Sequence, residues 1–124
     1  MNESKALSLI GLCYRAKKLC VGEDGVMYNL KKGKCKLVIV AKDASEKTID
    51  KFDKKCFFYH TDFLVEFNSS DIAKALGKPL VKIIGINDKG FKDALSESLK
   101  WGILDESKRY ITNFKWQRNW RRLT

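Results

Sequence analysis

Lys36-Leu37-Val38-Ile39-Val40-Ala41 is the stretch that decides the fold. Five aliphatic residues follow one another without polar alternation, as expected of a strand covered on both faces, and therefore interior to its sheet. Upstream, Ala6, Leu9, Ile10, Cys13, Ala16 and Cys20 recur at helical spacing, with Lys5, Arg15, Lys17 and Lys18 off that stripe. This predicts an amphipathic helix over 3–20. Gly22-Glu23-Asp24-Gly25 interrupts the pattern, which Val26, Met27 and Leu30 resume as a short second helix ending near Gly33. Downstream, Lys42-Asp43-Ala44 reads as a turn, and Ser45 can cap a third helix with Ile49, Phe52 and Cys56 on one face. A strand is expected over 63–67. Ser69 or Ser70 can then cap a fourth helix carrying Ile72, Ala73 and Leu76, closed by Gly77 and Pro79. A second aliphatic strand over 81–86 precedes a last helix begun by Asn87 or Asp88, with Phe91, Ala94, Leu95 and Leu99 as its buried stripe. Helices and strands that alternate through short connections define an α/β class, a three-layer α/β/α sandwich around a small mixed sheet.

The chain's 124 residues suffice for one hydrophobic core. The expected division is a domain over 1–104 and a C-terminal extension over 105–124. The longest apolar runs, such as Leu37 to Ala41, fall far short of the roughly 20 residues that cross a bilayer. Tyr14, Arg15, Lys17 and Lys18 break the N-terminal apolar stretch, so no signal-peptide core is present and a cytoplasmic protein is expected. Cys13, Cys20, Cys35 and Cys56 contain no C-x-x-C pair, and His60 is the single histidine, which reads as small buried thiols and predicts neither metal nor cofactor. A formal charge of +10 favours polyanionic partners.

Three segments in register carry a resemblance: Gly22-Glu23-Asp24, then Lys36-Leu37-Val38-Ile39-Val40-Ala41-Lys42-Asp43 after Gly33, then Ala73-Lys74-Ala75-Leu76-Gly77-Lys78 ahead of an aliphatic strand. Over roughly residues 5 to 100 the chain resembles the kink-turn-binding ribosomal protein family of L-seven-Ae and L-thirty type, in its bacterial YlxQ-like branch. The resemblance implies an L-thirty-like fold that docks on kinked RNA through two segments. Matched position by position, the first is Gly22, Asp24, Gly25, Tyr28 and Lys32, with Glu23 inside it and Lys31 beside its far turn. The second is Asn68, Ser69 and Ser70. It further implies structured RNA, ribosomal RNA above all, as partner, with ribosomal proteins as neighbours. The alternative for Asp24 is a plain helix cap. Two departures stand out: Asp24-Gly25 followed by Tyr28 where the family carries Asn-Glu and then lysine, and Asn68-Ser69 where it carries serine and a basic residue. Both remove cationic contacts to phosphate.

From Ser107 onward the chain has no acid, and Lys115, Trp116, Arg118, Trp120, Arg121 and Arg122 place aromatic rings among cations, the composition of a second RNA contact. Packing of these rings on the core or a partner protein, or their insertion into an anionic membrane surface, is the competing reading. No catalytic role is expected, because G-x-G-x-x-G, P-loop, Cys-His and Ser-His-Asp patterns are missing. His60 reads as a surface or edge-strand histidine, and Asp43, Asp53 and Asp62 share no period. Rival functions are a protein-interaction adaptor and a substrate-binding module for a separate RNA-modifying enzyme.

Overall fold

The computed structural model describes residues 3–99. They form α1 (Glu3–Arg15), β1 (Leu19–Val21), α2 (Gly22–Lys31), β2 (Leu37–Val40), α3 (Glu46–Phe58), β3 (Asp62–Val65), α4 (Ser69–Leu76), β4 (Ile83–Ile86) and α5 (Lys89–Leu99). The sheet runs β1-β4-β2-β3, so β2 is interior, as its unbroken aliphatic run requires. β2 pairs parallel with β3 and antiparallel with β4, and β4 pairs antiparallel with β1. The sheet is therefore mixed.

Alternation along β2 assigns its two faces. Leu37 and Ile39 join Ile84, Ile86 and Leu64 in a core with Ala6, Ile10, Ile72, Leu76 and Leu95, from α1, α4 and α5. Val38 and Val40 join Phe63 and Ile83 in a second core with Val26, Leu30, Phe52 and Cys56, from α2 and α3. These two clusters are the interlayer cores of an α/β/α sandwich, the class the sequence predicts.

Three boundaries depart from the sequence reading. The first helix stops at Arg15, because Lys17 is left-handed (φ 62°) and Leu19-Cys20-Val21 leaves to pair with β4. Ala16 is consequently exposed and Cys20 belongs to a strand. β3 ends at Val65 rather than Phe67, which is left-handed (φ 66°) and buried. By strand parity the Phe67 ring would share the face of Phe63. It enters the other core instead, beside α4, and that reversal ends the strand. β4 begins at Ile83 rather than residue 81. The caps at Ser45 and Asp88 are as expected, accepting from the Thr48 and Phe91 N–H groups at 3.2 and 3.0 Å. Gly33 and Gly77 close their helices at φ 73° and 71°. The extension over 105–124, with Lys115, Trp116, Arg118, Trp120, Arg121 and Arg122, lies outside the described residues.

Candidate nucleic-acid interface

β1, β2 and β3 all point the same way, so the segments that follow them emerge on one edge of the sheet. Those segments are the tip of α2, the turn Lys42-Asp43-Ala44 leading into α3, and the loop Glu66-Phe67-Asn68 leading into α4. Three helix N-termini with their partial positive charge thus meet on one edge. Side-chain bonds tie them together. Glu23 of α2 accepts from the Lys51 ammonium at 3.3 Å and the Thr48 hydroxyl at 3.4 Å, both on α3. Asp43 accepts from the Ser69 N–H at 2.8 Å and its hydroxyl at 2.6 Å, which fastens the α3 approach to the tip of α4. Lys42 donates its N–H to the Phe67 carbonyl at 2.8 Å and its ammonium to Glu66 at 3.2 Å.

The two segments singled out in the sequence, Gly22 to Gly25 and Asn68 to Ser70, therefore share an edge, with the Asp43 turn and the start of α3 linking them. Gly22 is left-handed (φ 87°), a conformation that glycine alone adopts without penalty, and it lets the chain turn directly from β1 into α2. Of the three tips, only that of α2 carries no side-chain cap among the described residues. Its N-cap is Val21, which has no acceptor, whereas Ser45 caps α3 and Asp43 takes the first N–H of α4. Asp24 is not the cap either, since it sits in the first turn, exposed, with no hydrogen-bond or ion-pair partner among the described residues. Gly25 is half-buried. Asp24, Tyr28 and Lys32 follow at spacing of four on one exposed face, with Tyr28 59% exposed and the Lys32 ammonium 5.5 Å from its ring centroid. Lys31 and Lys32 stand at the far end of α2, roughly 14 Å along its axis from Gly22 by the helical rise. They flank the edge rather than join it.

In the second segment Asn68 and Ser70 are exposed, but Ser69 is buried, correcting its expected place in the contact surface. Its hydroxyl is committed to Asp43. The N-cap position belongs to Asn68, whose side chain makes no cap bond, rather than to Ser69 or Ser70. Those two bonds from Ser69, its hydroxyl first, hold the Asp43 carboxyl below the usual carboxylate range.

The sequence places Lys42-Asp43 in the family-like stretch but, read as a turn, gives neither a site role, and it leaves Thr48 unmarked within α3. The available signal was topological: in open α/β sheets, segments after strands that point the same way gather on one edge, where ligands bind.

No disulfide joins the four cysteines. Cys13, Cys35 and Cys56 are buried, and Cys20 is half-buried. Burial and nearby Asp88 push Cys13 up to about 12. Cys20 and Cys35 both press on Gly85, where a Cβ would lie 2.7 and 2.9 Å from their sulfurs. His60 is exposed beyond the end of α3, on the opposite edge.

This geometry defines a class: an α/β/α domain offering a composite surface of helix tips on one sheet edge. The chain belongs to the ribosomal protein L7Ae/L30e/S12e/Gadd45 family, whose model matches residues 4–96. It is 38% identical over 99 residues to the RNA-binding protein YlxQ of Enterococcus faecium, covering 80% of this chain and 95% of that one. It is 31% identical over 95 residues to the RNA-binding protein YlxQ of Bacillus subtilis (strain 168), covering 77% and 95%. A solved protein of unknown function from Bacillus halodurans C superposes with a TM-score of 0.74 at 35% identity, over 77% of this chain and 97% of that one. The Giardia lamblia 15.5kD RNA binding protein shares the fold at a TM-score of 0.63 and 16% identity, over 76% and 81%. No helix among the described residues is long and apolar enough to cross a membrane.

Proposed function

We propose that this chain is a non-catalytic, cytoplasmic RNA-binding protein that recognises structured RNA of kink-turn type, in association with the ribosome and its proteins. The observation that carries the reading is the juxtaposition of the uncapped tip of α2 with the exposed Asn68 and Ser70 on one edge, in a family with relatives named as RNA-binding proteins. A bare helix N-terminus offers its N–H groups to a phosphate, and Gly22 and Gly25 let the RNA backbone come close. Asp24 accepts from guanine amino and imino groups, a use for a carboxylate in a basic protein. Glu23 holds the edge together from within. Tyr28 supplies a ring or hydroxyl to a base, and Lys31 and Lys32 neutralise phosphates along the flank, in place of the lysine that Tyr28 displaces. Asn68 and Ser70 meet a splayed nucleotide, while Ser69 positions them through Asp43. The extension over 105–124 is a separate unit from the domain over 1–104, and its Lys115, Trp116, Arg118, Trp120, Arg121 and Arg122 make a second contact.

The test compares a kink-turn RNA with a straight duplex of equal length across a salt series. Tighter binding to the kinked RNA, with log Kd rising linearly in log salt, is the expected result. Equal affinity for both would refute kink recognition, and no binding to either would refute the function.

A further inference from the structure

The edge opposite the helix tips carries a second cluster that the first site does not use. The last turn of α3 exposes two consecutive aromatic side chains, Phe57 at 53% and Phe58 at 70%. They line a shallow open groove together with Lys54 and His60. Lys54 precedes Phe57 and Phe58 by three and four residues, and Lys55 precedes Phe58 by three, so exposed cations lie beside both rings on the helix surface. Among the described residues no carboxylate lines the groove, and Asp50, one turn earlier on α3, meets the Lys54 ammonium at 3.0 Å. Phe58 packs edge-on against Tyr59, with ring centroids 4.9 Å apart at 88°, which steadies the ring.

We infer that Phe57 and Phe58, with Lys54, Lys55 and His60, form a second RNA site that stacks unpaired bases of a single-stranded segment adjoining the structured element bound at the helix tips. Charge complementarity selects this occupant. In a chain of formal charge +10 with relatives named as RNA-binding proteins, exposed rings beside lysines suit bases on the rings and phosphates on the ammonium groups. A histidine beside the groove adds a third planar ring and a hydrogen-bond donor. The inference rests on the RNA-binding reading above and extends it to a bipartite footprint. Thirteen residues of α3 separate the two sites, about 20 Å at the helical rise. Roughly six stacked nucleotides cover that distance at about 3.4 Å each.

The test uses the full-length chain and one kink-turn RNA, either blunt or carrying at either end a single-stranded extension of two or of eight adenosines. The longer extension at one end should tighten binding roughly ten-fold over the blunt RNA, and the shorter should add little. Phe58→Ala should abolish that gain while leaving blunt-RNA affinity unchanged, and Phe58→Trp should restore it. Ultraviolet crosslinking of the eight-adenosine RNA should map to the peptide bearing Phe57 and Phe58. A gain that survives Phe58→Ala, or no gain from either end, overturns the second site. So does self-association of the wild-type chain that Phe58→Ala removes, since the patch would then be a protein contact. If blunt RNA does not bind at all, the helix-tip reading fails on its own. The crosslink of a free eight-adenosine strand to Phe57 and Phe58 still decides this inference.

Discussion

At the residue scale, the candidate site separates groups that hold the surface from groups that face a ligand. Glu23, Asp43 and Ser69 are bonded to neighbouring elements, whereas Asp24 has no partner among the described residues. Asp24→Ala should therefore leave the melting temperature nearly unchanged and reduce the preference for kinked over straight RNA, read as the ratio of the two Kd values. A ratio that stays the same removes Asp24 from recognition. Asp43 behaves differently, because its carboxyl is lowered in the folded state by Ser69. A depressed carboxylate stabilises the fold above its unfolded value, about 3.9, and that contribution disappears as pH falls through the lower folded value. Asp43→Asn should flatten the fall of Tm with acid below about pH 4 relative to wild type, as differential scanning calorimetry across pH would show. The sequence discloses Asp24 through its glycine neighbours. Asp43 stayed hidden because its partner lies 26 residues away and no local period links the two.

At the scale of elements, legibility followed length and parity. β2 is plain in four consecutive aliphatic residues, and the helices in their stripes, while β1 has only three residues and no measurable period. Its loss merged Cys20 into the first helix and concealed the feature that seats α2. Cys20 of β1 and Cys35 after α2 both approach Gly85 of β4, and the Val26 side chain of α2 would lie 3.4 Å from a Cβ there. Gly85 thus sets how closely α2 sits on the sheet, and with it the height of the Gly22 tip. Gly85→Ala should overpack this layer, costing about 1–3 kcal/mol in urea unfolding, and should weaken RNA binding although residue 85 is itself buried. Gly22→Ala makes the contrasting case. A Cβ there meets nothing within 4 Å, so only the left-handed backbone opposes it, at about 1 kcal/mol. Equal stability losses for the two variants would contradict the assignment of packing to Gly85 and turn geometry to Gly22.

At the scale of the whole molecule, charge and architecture are apportioned differently. The described residues, 3–99, hold five helices, four strands and both clusters of buried hydrophobic side chains. The segment over 108–124 brings six cations and no acid. Deleting it should leave the urea midpoint of unfolding unchanged, because the side chains that form the two described interlayer cores all precede it. If the segment also grips RNA, each phosphate it neutralises adds about 0.7 to 0.9 to the slope of log Kd against log salt, so six cations can steepen it by roughly four to five. The truncated chain should therefore bind more weakly at low salt with a shallower slope, while retaining its preference for kinked RNA, which belongs to the helix tips. A truncation that lowers the unfolding midpoint would instead assign Trp116 and Trp120 to packing. One that erases the kinked preference would move recognition away from Gly22 to Gly25.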